Sequence, residues 1–332
     1  MKVNFFVEDM LFFKYIGCAT AARSLFRSLG KRTDIDIAYN DSGGPFDLVH
    51  YHTFGPFALF HKKRHNGISV LTAHSTPRVN ENNIAFSRFI NRQYPRIYGS
   101  FDHIVTISES CRREVEALVP GVPTTLIPNG VDRDFFIHDT ERRQSFREEY
   151  GIPGDALVVL TVAQQTPRKG IYDIMACAQR HPDITWVWVG GFPYGIFSKE
   201  YYTIQRTKRA AGPNMIFTGF VPDIRDAYSA ADIFCMPSYA ETFGLVILEA
   251  LSSGLPVIAR DIPEFREIFG DDLMYFSDPD GISALLADPL SHRQYGERAR
   301  AATERFDIRG IAERHVDLYR ALTGQVKGIT PE

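Results

Sequence analysis

The 332-residue sequence predicts an α/β protein of two domains, each built on a doubly wound parallel sheet. Short apolar runs alternate with amphipathic segments along nearly the whole chain, which is typical of parallel strands with helices on both faces of a sheet. The length exceeds what one hydrophobic core usually serves. Turn residues at 128–132 and a polar, charged stretch at 134–154 interrupt the alternation, so we place the domain boundary there.

The first domain, residues 1–134, is predicted from six strand-like runs separated by helical patterns. Residues 84–98 are expected to form one helix that Pro95 bends or partly ends, because proline removes a backbone hydrogen bond. The predicted strands are 3–7, 34–38, 48–51, 69–73, 103–108 and 124–127. The predicted helices are 19–29, 56–65, 84–98 and 110–118.

The second domain, residues 135–308, continues the same alternation after the polar stretch. A helix is expected to begin near Leu245 and to end near Gly254, and a buried strand follows from Leu255. The tail from Pro289 is expected to be helical. The other predicted strands are 157–163, 184–189, 215–218 and 233–236, and the other predicted helices are 171–179, 198–210 and 224–230.

Composition places the chain among ordinary globular proteins and excludes several functional classes. Hydrophobic residues make up 44% and charged residues 23%, and a net charge of −3 gives no nucleic-acid signature. Four scattered cysteines favour reduced thiols. No apolar run reaches the ~18 residues that span a bilayer, and the first residues read as a strand rather than a signal peptide. We therefore expect a cytoplasmic protein.

Charge is spread unevenly along the chain. Residues 1–132 contain 15 Lys/Arg and 12 Asp/Glu, which leaves 22 of the 37 basic and 28 of the 40 acidic residues for the rest. Residues 14–32 include five basic residues and end in Lys31 and Arg32. The basic helix at 19–29 could lie on an anionic membrane surface. The alternative is an ordinary packed helix whose basic face is solvated.

Two glutamates form the most informative motif. Glu241 precedes the N-terminus of the helix predicted from Leu245, and Glu249 lies on its first turns. A helix N-terminus attracts phosphate through its unpaired N–H groups and its dipole, whereas carboxylates suit hydroxyl groups. Together these features suit a sugar nucleotide. The alternative is a capped helix with two surface glutamates.

The stretch at residues 237–258 resembles the Glu-x7-Glu signature of the retaining glycosyltransferases of family 4. The resemblance implies the GT-B fold, in which two Rossmann-like domains face a central cleft. It implies an acceptor-binding first domain, a nucleotide-sugar-binding second domain and a C-terminal helix, residues 309–332, that packs back on the first domain. It also implies transfer of a hexose from a UDP-sugar with retention at the anomeric carbon.

Arg168 and Lys169 follow the first predicted strand of the second domain and open its helix. Two cations at such a turn suit a diphosphate, although a solvated basic turn would have the same sequence. The family usually carries an arginine earlier in this turn, where this sequence has Gln164. This arrangement resembles that of the glycosyldiacylglycerol synthases within the family.

The resemblance assigns further residues to the site. His74, at the carboxyl end of a predicted strand, is similar to the family's sugar-contacting histidine, with a structural histidine as the alternative. Gly17 stands where relatives carry a glycine-rich loop near the donor phosphate. We expect the catalytic residues to be His74, Arg168, Lys169 and Glu241. We expect the donor-binding residues to be Gly17, Phe220, Val221, Ser238, Phe243, Gly244, Leu245 and Glu249, with Glu241 on sugar hydroxyls and Glu249 on the ribose.

No metal ion or other cofactor is expected. Asp34 and Asp36 match the metal-binding Asp-x-Asp of another glycosyltransferase fold, but they lie in an alternating strand. Asp278 and Asp280 read as a turn. No His, Cys or Asp cluster has metal-ligand spacing, and no Walker A or G-x-S-x-G sequence is present.

Residues 239–244 and 257–263 resemble the corresponding stretches of bacterial enzymes that extend glucosyl-diacylglycerol by a second hexose. The basic first half fits such an acceptor, so we expect a glycolipid substrate, an anionic membrane surface as partner and attachment to the inner face of the cell membrane. Three alternatives stay open: a soluble family 4 enzyme of polysaccharide or lipid-linked oligosaccharide synthesis, a UDP-sugar epimerase, and a non-catalytic sugar-nucleotide-binding protein.

Overall fold

The computed structural model describes residues 1–8, 17–80, 87–192 and 195–324. The chain divides into two compact units. The first contains the described residues up to 132 and those from 306 onwards, and the second contains residues 133–305. Among the described residues, no helix is both long enough and apolar enough to cross a bilayer.

In its described residues, the first unit is built on one parallel sheet of six strands. These are β1 (Lys2–Phe6), β2 (Asp36–Tyr39), β3 (Leu48–Tyr51), β4 (Ile68–Ala73), β5 (His103–Thr106) and β6 (Thr124–Leu126). They pair in the order β2-β1-β3-β4-β5-β6. The helices between them are α1 (Gly17–Leu29), α2 (Pro56–Arg64), α3 (Pro77–Asn80), α4 (Ser87–Asn91), α5 (Tyr94–Tyr98) and α6 (Glu109–Leu118).

The region predicted as one helix at residues 84–98 contains two short helices, α4 and α5. Residues 84–86 lie outside the described part of the chain. Pro95 lies in the first turn of α5, where a backbone N–H has no partner within the helix. It therefore begins a helix instead of bending one, because its fixed φ suits that position.

The part of the second unit that the structure describes is built on another parallel sheet of six strands. These are β7 (Val158–Val162), β8 (Thr185–Val189), β9 (Met215–Gly219), β10 (Ile233–Met236), β11 (Val257–Arg260) and β12 (Met274–Phe276). They pair in the order β12-β11-β10-β7-β8-β9. The helices are α7 (Thr140–Glu149), α8 (Ile171–Arg180), α9 (Tyr201–Ala210), α10 (Ile224–Ala230), α11 (Leu245–Ser252), α12 (Pro263–Phe269), α13 (Pro279–Leu286) and α14 (Pro289–Ala302). The two sheets confirm the predicted fold class.

The polar stretch at the start of the second unit contains α7, which the sequence pattern did not predict. The Asp139 side chain caps its first turn. Arg143 and Arg147 donate to the two carboxylate oxygens of Asp232 at 2.8 and 3.0 Å. Because charge-assisted hydrogen bonds hold this helix to its unit, and not an apolar stripe, hydrophobic periodicity gave no signal for it.

The last helix, α15 (Ile308–Leu322), lies in the core of the first unit. Its Ile311 and Val316 pack in one cluster with Leu25 and Leu29 of α1 and with residues of the sheet. Leu25 and Leu29 are therefore buried, and the basic side chains of α1 lie outside that contact. The apolar face of α1 is therefore used in the core, which favours the alternative of an ordinary packed helix with a solvated basic face.

Each sheet has one point where its strand order reverses, and such points are where open α/β sheets bind ligands at the carboxyl ends of their strands. In the first unit this point lies between β1 and β3, and in the second it lies between β7 and β10. The loops after β7 and β10 carry Lys169 and Glu241. The fold thus brings together side chains that are 72 positions apart in the sequence.

Candidate active site

The loop after β7 presents two cations at the start of α8. Pro167–Lys169 forms a single 3₁₀ turn, and Gly170 follows with a φ of +73°. A Cβ at Gly170 would lie 2.5 Å from the Pro237 carbonyl oxygen, so only glycine lets this turn approach the loop after β10. The Tyr239 N–H donates to the Arg168 carbonyl at 2.9 Å. The two loops therefore hold each other through their backbones.

Glu241 lies between these loops and contacts both cations. The Lys169 ammonium group donates to Glu241 Oε1, and an Arg168 guanidinium nitrogen lies 3.5 Å from the same oxygen. Arg168 also donates to the Ala240 carbonyl. All three charged side chains are at most 15% exposed. The structure thus joins three of the four predicted catalytic residues in one cluster, and places it at the reversal point of the second sheet.

The charge state of this cluster follows from its burial and its net positive balance. Burial raises the pKa of the Glu241 carboxyl, but the charges of Lys169 and Arg168 and hydrogen bonds from Lys169 and Ser238 bring that pKa below its ordinary value. Burial lowers the pKa of Lys169, and Arg168 lowers it further against the pull of Glu241. Glu241 is therefore ionised, and one positive charge exceeds what it can neutralise.

The N-terminus of α11 begins directly after this loop. Gly244 has a φ of +92°, and a Cβ there would meet a Phe265 ring carbon at 2.9 Å. The side chains of Phe243 and Ser238 are buried, so Phe243 can offer a ligand only its backbone. Leu245 is the first helical residue. A helix N-terminus beside two cations is an arrangement that suits a diphosphate.

Glu249 lies on the second turn of α11 and is buried. Its Oε2 accepts a hydrogen bond of 2.7 Å from the hydroxyl of the fully buried Tyr228. Burial raises the pKa of Glu249 to about 7, although the bond from Tyr228 acts in the other direction. Glu249 is thus partly protonated near neutral pH, unlike Glu241. Sequence reasoning found Glu249 but gave no sign of Tyr228.

Sequence reasoning missed a buried arginine that braces the same loops. Arg260, at the end of β11, is 6% exposed. It donates to the Pro237 carbonyl at 3.0 Å and to Asp173 Oδ2 at 2.5 Å, and it stacks 3.9 Å from the Tyr239 ring centre. The Tyr239 hydroxyl donates to the same Asp173 oxygen at 2.8 Å. Arg260 therefore fixes the loop after β10 to α8, and positions the backbone that leads to Glu241.

Gln164 stands where the family that this chain resembles usually carries an arginine. The next residue, Gln165, has a structural role. Gln165 donates to the Gly190 carbonyl at 2.8 Å and accepts from the Lys208 ammonium group at 3.0 Å. Gln164 itself is half-buried. Lys208 also lies 4.3 Å from the centre of the Phe217 ring. Lys208 thus brings a further cation, from α9, to the loop after β7.

Phe220 and Val221, two predicted donor-binding residues, follow β9. The Phe220 ring is exposed, and its edge lies 2.8 Å from where a Cβ of Gly191 would be. Gly190 has a φ of +125°, and its N–H donates to the Gly219 carbonyl at 2.7 Å. The exposed Phe220 ring beside Gly191 is an aromatic surface of the kind on which a nucleobase stacks.

His74 and Gly17 belong to the first unit. Gly17 begins α1, and residues 9–16 before it lie outside the described residues. His74 follows β4, and its Nε2 lies 3.2 Å from Nδ1 of the buried His52. The His50 ring lies beside that of His52 with ring centres 4.2 Å apart, and its nitrogens form hydrogen bonds with the Thr72 and Tyr319 hydroxyls at 2.6 Å each. The predicted histidine therefore ends a row of buried imidazoles.

These imidazoles are neutral at physiological pH. Burial lowers the pKa of His74 to about 4 and, together with the charge of Arg314 and with His74, that of His315 to about 3. Burial also holds the pKa values of His50 and His52 well below the ordinary value. His74 can therefore serve as a neutral hydrogen-bonding group and not as a cation.

Stability should fall as the pH falls below the ordinary histidine pKa of about 6.5. Between that pH and about 4, the unfolded chain binds protons that folded His74 and His315 refuse, so each lowers the free energy of unfolding by up to about 1.4 kcal/mol per pH unit. Urea unfolding of wild type and of His315→Gln from pH 8 to pH 5 measures the effect. The variant should show the smaller slope, and equal slopes would contradict this assignment. The slopes of wild type and variant are compared with each other because Glu249, whose pKa is raised, changes the free energy of unfolding with pH in the opposite direction in both proteins.

The described residues contain no group of three or more His, Cys, Asp or Glu side chains that could hold a metal ion. The four cysteines are free thiols, and three of them are buried. Burial raises the pKa of Cys177 to about 11 and that of Cys18 likewise to about 11. These two thiols are therefore protonated at neutral pH and are not activated nucleophiles.

Comparison with known families covers both halves of the chain. Residues 142–302 match the family described as Glycosyl transferases group 1. Residues 16–135 match the family described as Glycosyltransferase Family 4. The first match contains Arg168, Lys169, Glu241 and Glu249, and the second contains Gly17 and His74.

Two curated relatives show the similarity in more detail. The chain is 31% identical to the alpha-galactosylglucosyldiacylglycerol synthase of Streptococcus pneumoniae over 67% of its own length and 62% of that enzyme's length. It is 30% identical to the processive diacylglycerol alpha-glucosyltransferase of Acholeplasma laidlawii over 80% of its own length and 81% of that enzyme's length.

Solved structures show the same fold at lower identity. The sucrose-phosphate synthase of Thermosynechococcus elongatus matches with a TM-score of 0.78 and 20% identity over 98% of this chain and all of that one. Anabaena Alr3699/HepE in complex with UDP-glucose matches with a TM-score of 0.76 and 18% identity over 97% of this chain and all of that one. The fold is therefore GT-B, and the chain belongs to family 4 of the retaining glycosyltransferases, enzymes that transfer a sugar from a nucleotide-sugar donor.

Proposed function

We propose that the protein transfers a hexose from a UDP-sugar to a hydroxyl group of a membrane glycolipid such as glucosyl-diacylglycerol, with retention at the anomeric carbon. The observation that carries the proposal is the buried cluster of Glu241, Lys169 and Arg168 beside the N-terminus of α11. Its excess positive charge suits a diphosphate, and its carboxylate suits sugar hydroxyl groups. The second unit thus supplies the donor site in this proposal, and the first unit supplies the acceptor site.

Each residue of the cluster then has a distinct task. Lys169, Arg168 and the N–H groups at Gly244 and Leu245 stabilise the negative charge that develops on the leaving diphosphate. Glu241 holds hydroxyl groups of the transferred sugar. The family resemblance implies that the leaving phosphate helps to deprotonate the acceptor on the same face, so no protein nucleophile takes part.

Glu249 is proposed to accept hydrogen bonds from the ribose hydroxyl groups, and this makes donor binding depend on pH. Only the ionised carboxylate accepts at both oxygens, and its pKa is about 7. Affinity for a UDP-hexose should therefore rise about tenfold from pH 6 to pH 8. Calorimetric titration of wild type and Glu249→Gln measures this. The variant should bind weakly with a flat pH profile, whereas an unchanged profile would remove Glu249 from the donor site.

Two features support a glycolipid acceptor. Both curated relatives named above are described as enzymes of diacylglycerol glycolipids, at about 30% identity. Residues 1–132 also carry the excess of basic side chains that an anionic membrane surface attracts. On this proposal the protein works as a peripheral protein on the cytoplasmic face of the cell membrane.

The test is UDP release from a panel of UDP-hexoses, with and without vesicles that contain diacylglycerol or glucosyl-diacylglycerol. Release that requires one donor together with the glycolipid would support the proposal and identify both substrates. Release that is indifferent to lipid would overturn the lipid acceptor and favour a soluble one. UDP binding without any release would favour a non-catalytic protein.

A further inference from the structure

Tyr228 of α10 lies fully buried against the first turns of α11. Its hydroxyl donates to Glu249 Oε2 at 2.7 Å and lies 3.3 Å from the Val246 carbonyl oxygen. We propose that Tyr228 is a positioning residue of the donor site, whose hydroxyl holds Glu249 Oε2 so that Oε1 accepts hydrogen bonds from the ribose of the UDP-sugar. The inference rests on the proposed role of Glu249, and names the group that orients its carboxylate.

The two oxygens of Glu249 have different surroundings. Tyr228 occupies Oε2, and in the part of the chain that the structure describes it is the only side chain that hydrogen-bonds the Glu249 carboxyl group. An ionised carboxylate can accept about four hydrogen bonds, so Oε1 keeps its accepting capacity. Glu249 is 5% exposed, and buried polar groups are nearly always hydrogen-bonded. A ribose hydroxyl group can supply the donor that Oε1 requires.

The surroundings of the Tyr228 hydroxyl determine where its proton points. A phenol carries one proton, and Glu249 Oε2 is the nearer of its two acceptors. A hydrogen bond to an ionised carboxylate is also about twice as strong as one to a carbonyl. The proton therefore points at Oε2 and holds the carboxylate in one orientation. Fixing the rotatable bonds of Glu249 in advance lowers the entropy that is lost when the donor binds.

Packing explains the ring of Tyr228 but not its hydroxyl. The rings of Phe136 and Phe234 lie with their centres 5.9 Å from that of Tyr228. A phenylalanine at this position would fill the same apolar space, whereas a buried hydroxyl costs free energy unless it has a partner. Both contacts of the hydroxyl are on α11. The tyrosine is therefore explained by what its hydroxyl does to the helix that carries Glu249.

α7 braces both ends of α10. Arg142 donates at 3.1 Å to the side chain of Asp223, the N-cap of α10. Arg143 donates at 3.0 Å to the carbonyl of Ala230, the last residue of α10. Hydrogen bonds from charged donors at the two ends of a short helix limit its movement. α7 thus supports the position of the Glu249 carboxylate through α10 and Tyr228.

The hydroxyl also affects the charge of Glu249. Burial raises the pKa of Glu249 to about 7, and the hydrogen bond from Tyr228 acts to lower it. Among the described residues, Tyr228 is the only titratable group that shifts this pKa. Burial and the charge of Glu249 raise the pKa of Tyr228 itself well above its ordinary value, so the phenol remains a donor near neutral pH. Loss of the hydroxyl should therefore leave Glu249 less ionised at pH 7.

Calorimetric titration of a UDP-hexose from pH 6 to pH 8.5, with wild type and Tyr228→Phe, tests the inference. The rise of affinity with pH should move to higher pH by about one unit in the variant, because Glu249 loses a hydrogen bond that favours its charged form. Affinity should be at least about fivefold weaker than that of wild type at pH 7. The deficit should shrink at pH 8.5 but persist, because the carboxylate must still be ordered on binding. Equal profiles of the two proteins would overturn the role of Tyr228.

A tyrosine that acts through Glu249 should have little further effect once that carboxylate is removed. In the background of Glu249→Ala, the change Tyr228→Phe should lower affinity for the UDP-hexose by less than about twofold. The matched control is Tyr51→Phe, which removes a similarly buried hydroxyl that pairs with His61 at 2.9 Å in the first unit, and it should bind as wild type does. An equal loss from Tyr228→Phe in both backgrounds would indicate a general effect on packing and overturn the inference.

UDP and its 2′,3′-dideoxy analogue give a second readout at pH 8, because the two ligands differ only in the ribose hydroxyl groups. Wild type should prefer UDP by about tenfold or more. Tyr228→Phe should lose several-fold of that preference, whereas Tyr51→Phe should keep it. Full preference in Glu249→Ala would overturn the proposed ribose contact, and this inference with it. Loss of the preference in Glu249→Ala but not in Tyr228→Phe would leave the contact in place and exclude Tyr228 as its support.

Discussion

Glu241→Gln should lower the rate of transfer by about 10²- to 10³-fold, while the affinity for UDP stays equal or increases. The amide keeps the shape of the side chain but removes the charge that neutralises Lys169 and Arg168. The diphosphate then meets two cations with no competing carboxylate, whereas the transferred sugar loses a charged hydrogen-bond acceptor. Steady-state kinetics with a UDP-hexose, together with calorimetric titration of UDP, would measure both effects.

The separation of rate from affinity distinguishes a catalytic role from simple misfolding. A misfolded variant would lose UDP binding as well. The matched control is Glu297→Gln, the same change at an exposed glutamate on α14, which should leave both quantities unchanged. Transfer at the wild-type rate by Glu241→Gln would remove this residue from the reaction.

Arg260→Met should reduce kcat/KM by about 100-fold and the free energy of unfolding by about 3 kcal/mol. The change leaves Asp173 without its buried cation, and frees the Pro237 carbonyl that the guanidinium holds. The loop that leads to Glu241 then loses its fixed position. Donor KM should rise together with the fall in kcat, because Arg168 is held through the same loop. Kinetics and urea unfolding measure the two effects.

The chain offers a close control for Arg260. Arg266 also pairs with an aspartate, Asp261, at 2.8 Å, and its guanidinium lies 3.7 Å from the centre of the Tyr275 ring. Because this pair is exposed, Arg266→Met should change stability and activity little. Arg260→Lys should recover part of the stability and little of the activity, since an ammonium group cannot make the same forked contacts. Full activity in Arg260→Met would show that the loop is rigid without it.

The sequence predicted the fold class well because parallel strands buried on both faces leave apolar runs that are hard to mistake. The sequence pattern did not predict features that depend on charged side chains or on contacts between distant parts of the chain. α7 is held by Arg143 and Arg147, so no apolar period revealed it. α1 was assigned a possible membrane role from its charges, but the residues that bury its apolar face, such as Val316, come almost three hundred positions later.

The candidate site could be predicted as far as local motifs reach. Short sequence patterns indicate the chemistry of Glu241, Glu249, Arg168 and Lys169. Their roles in the reaction are proposals that the experiments above test. Arg260 lies in residues 257–263, a stretch that indicates a resemblance but no role for this arginine. Its role depends on contacts with Asp173, 87 positions away, and no spacing rule relates the two.

The order of the two units along the chain also determines the order in which they can fold during synthesis on the ribosome. Residues 133–305 form one uninterrupted unit, so all of its contacts are available as soon as that segment has emerged. The first unit is made first but lacks Ile311 and Val316 of α15, which fill its core, until the end of synthesis. The core of the first unit therefore stays incompletely packed while the second unit folds. A fragment that stops before residue 306 would remain in that incomplete state.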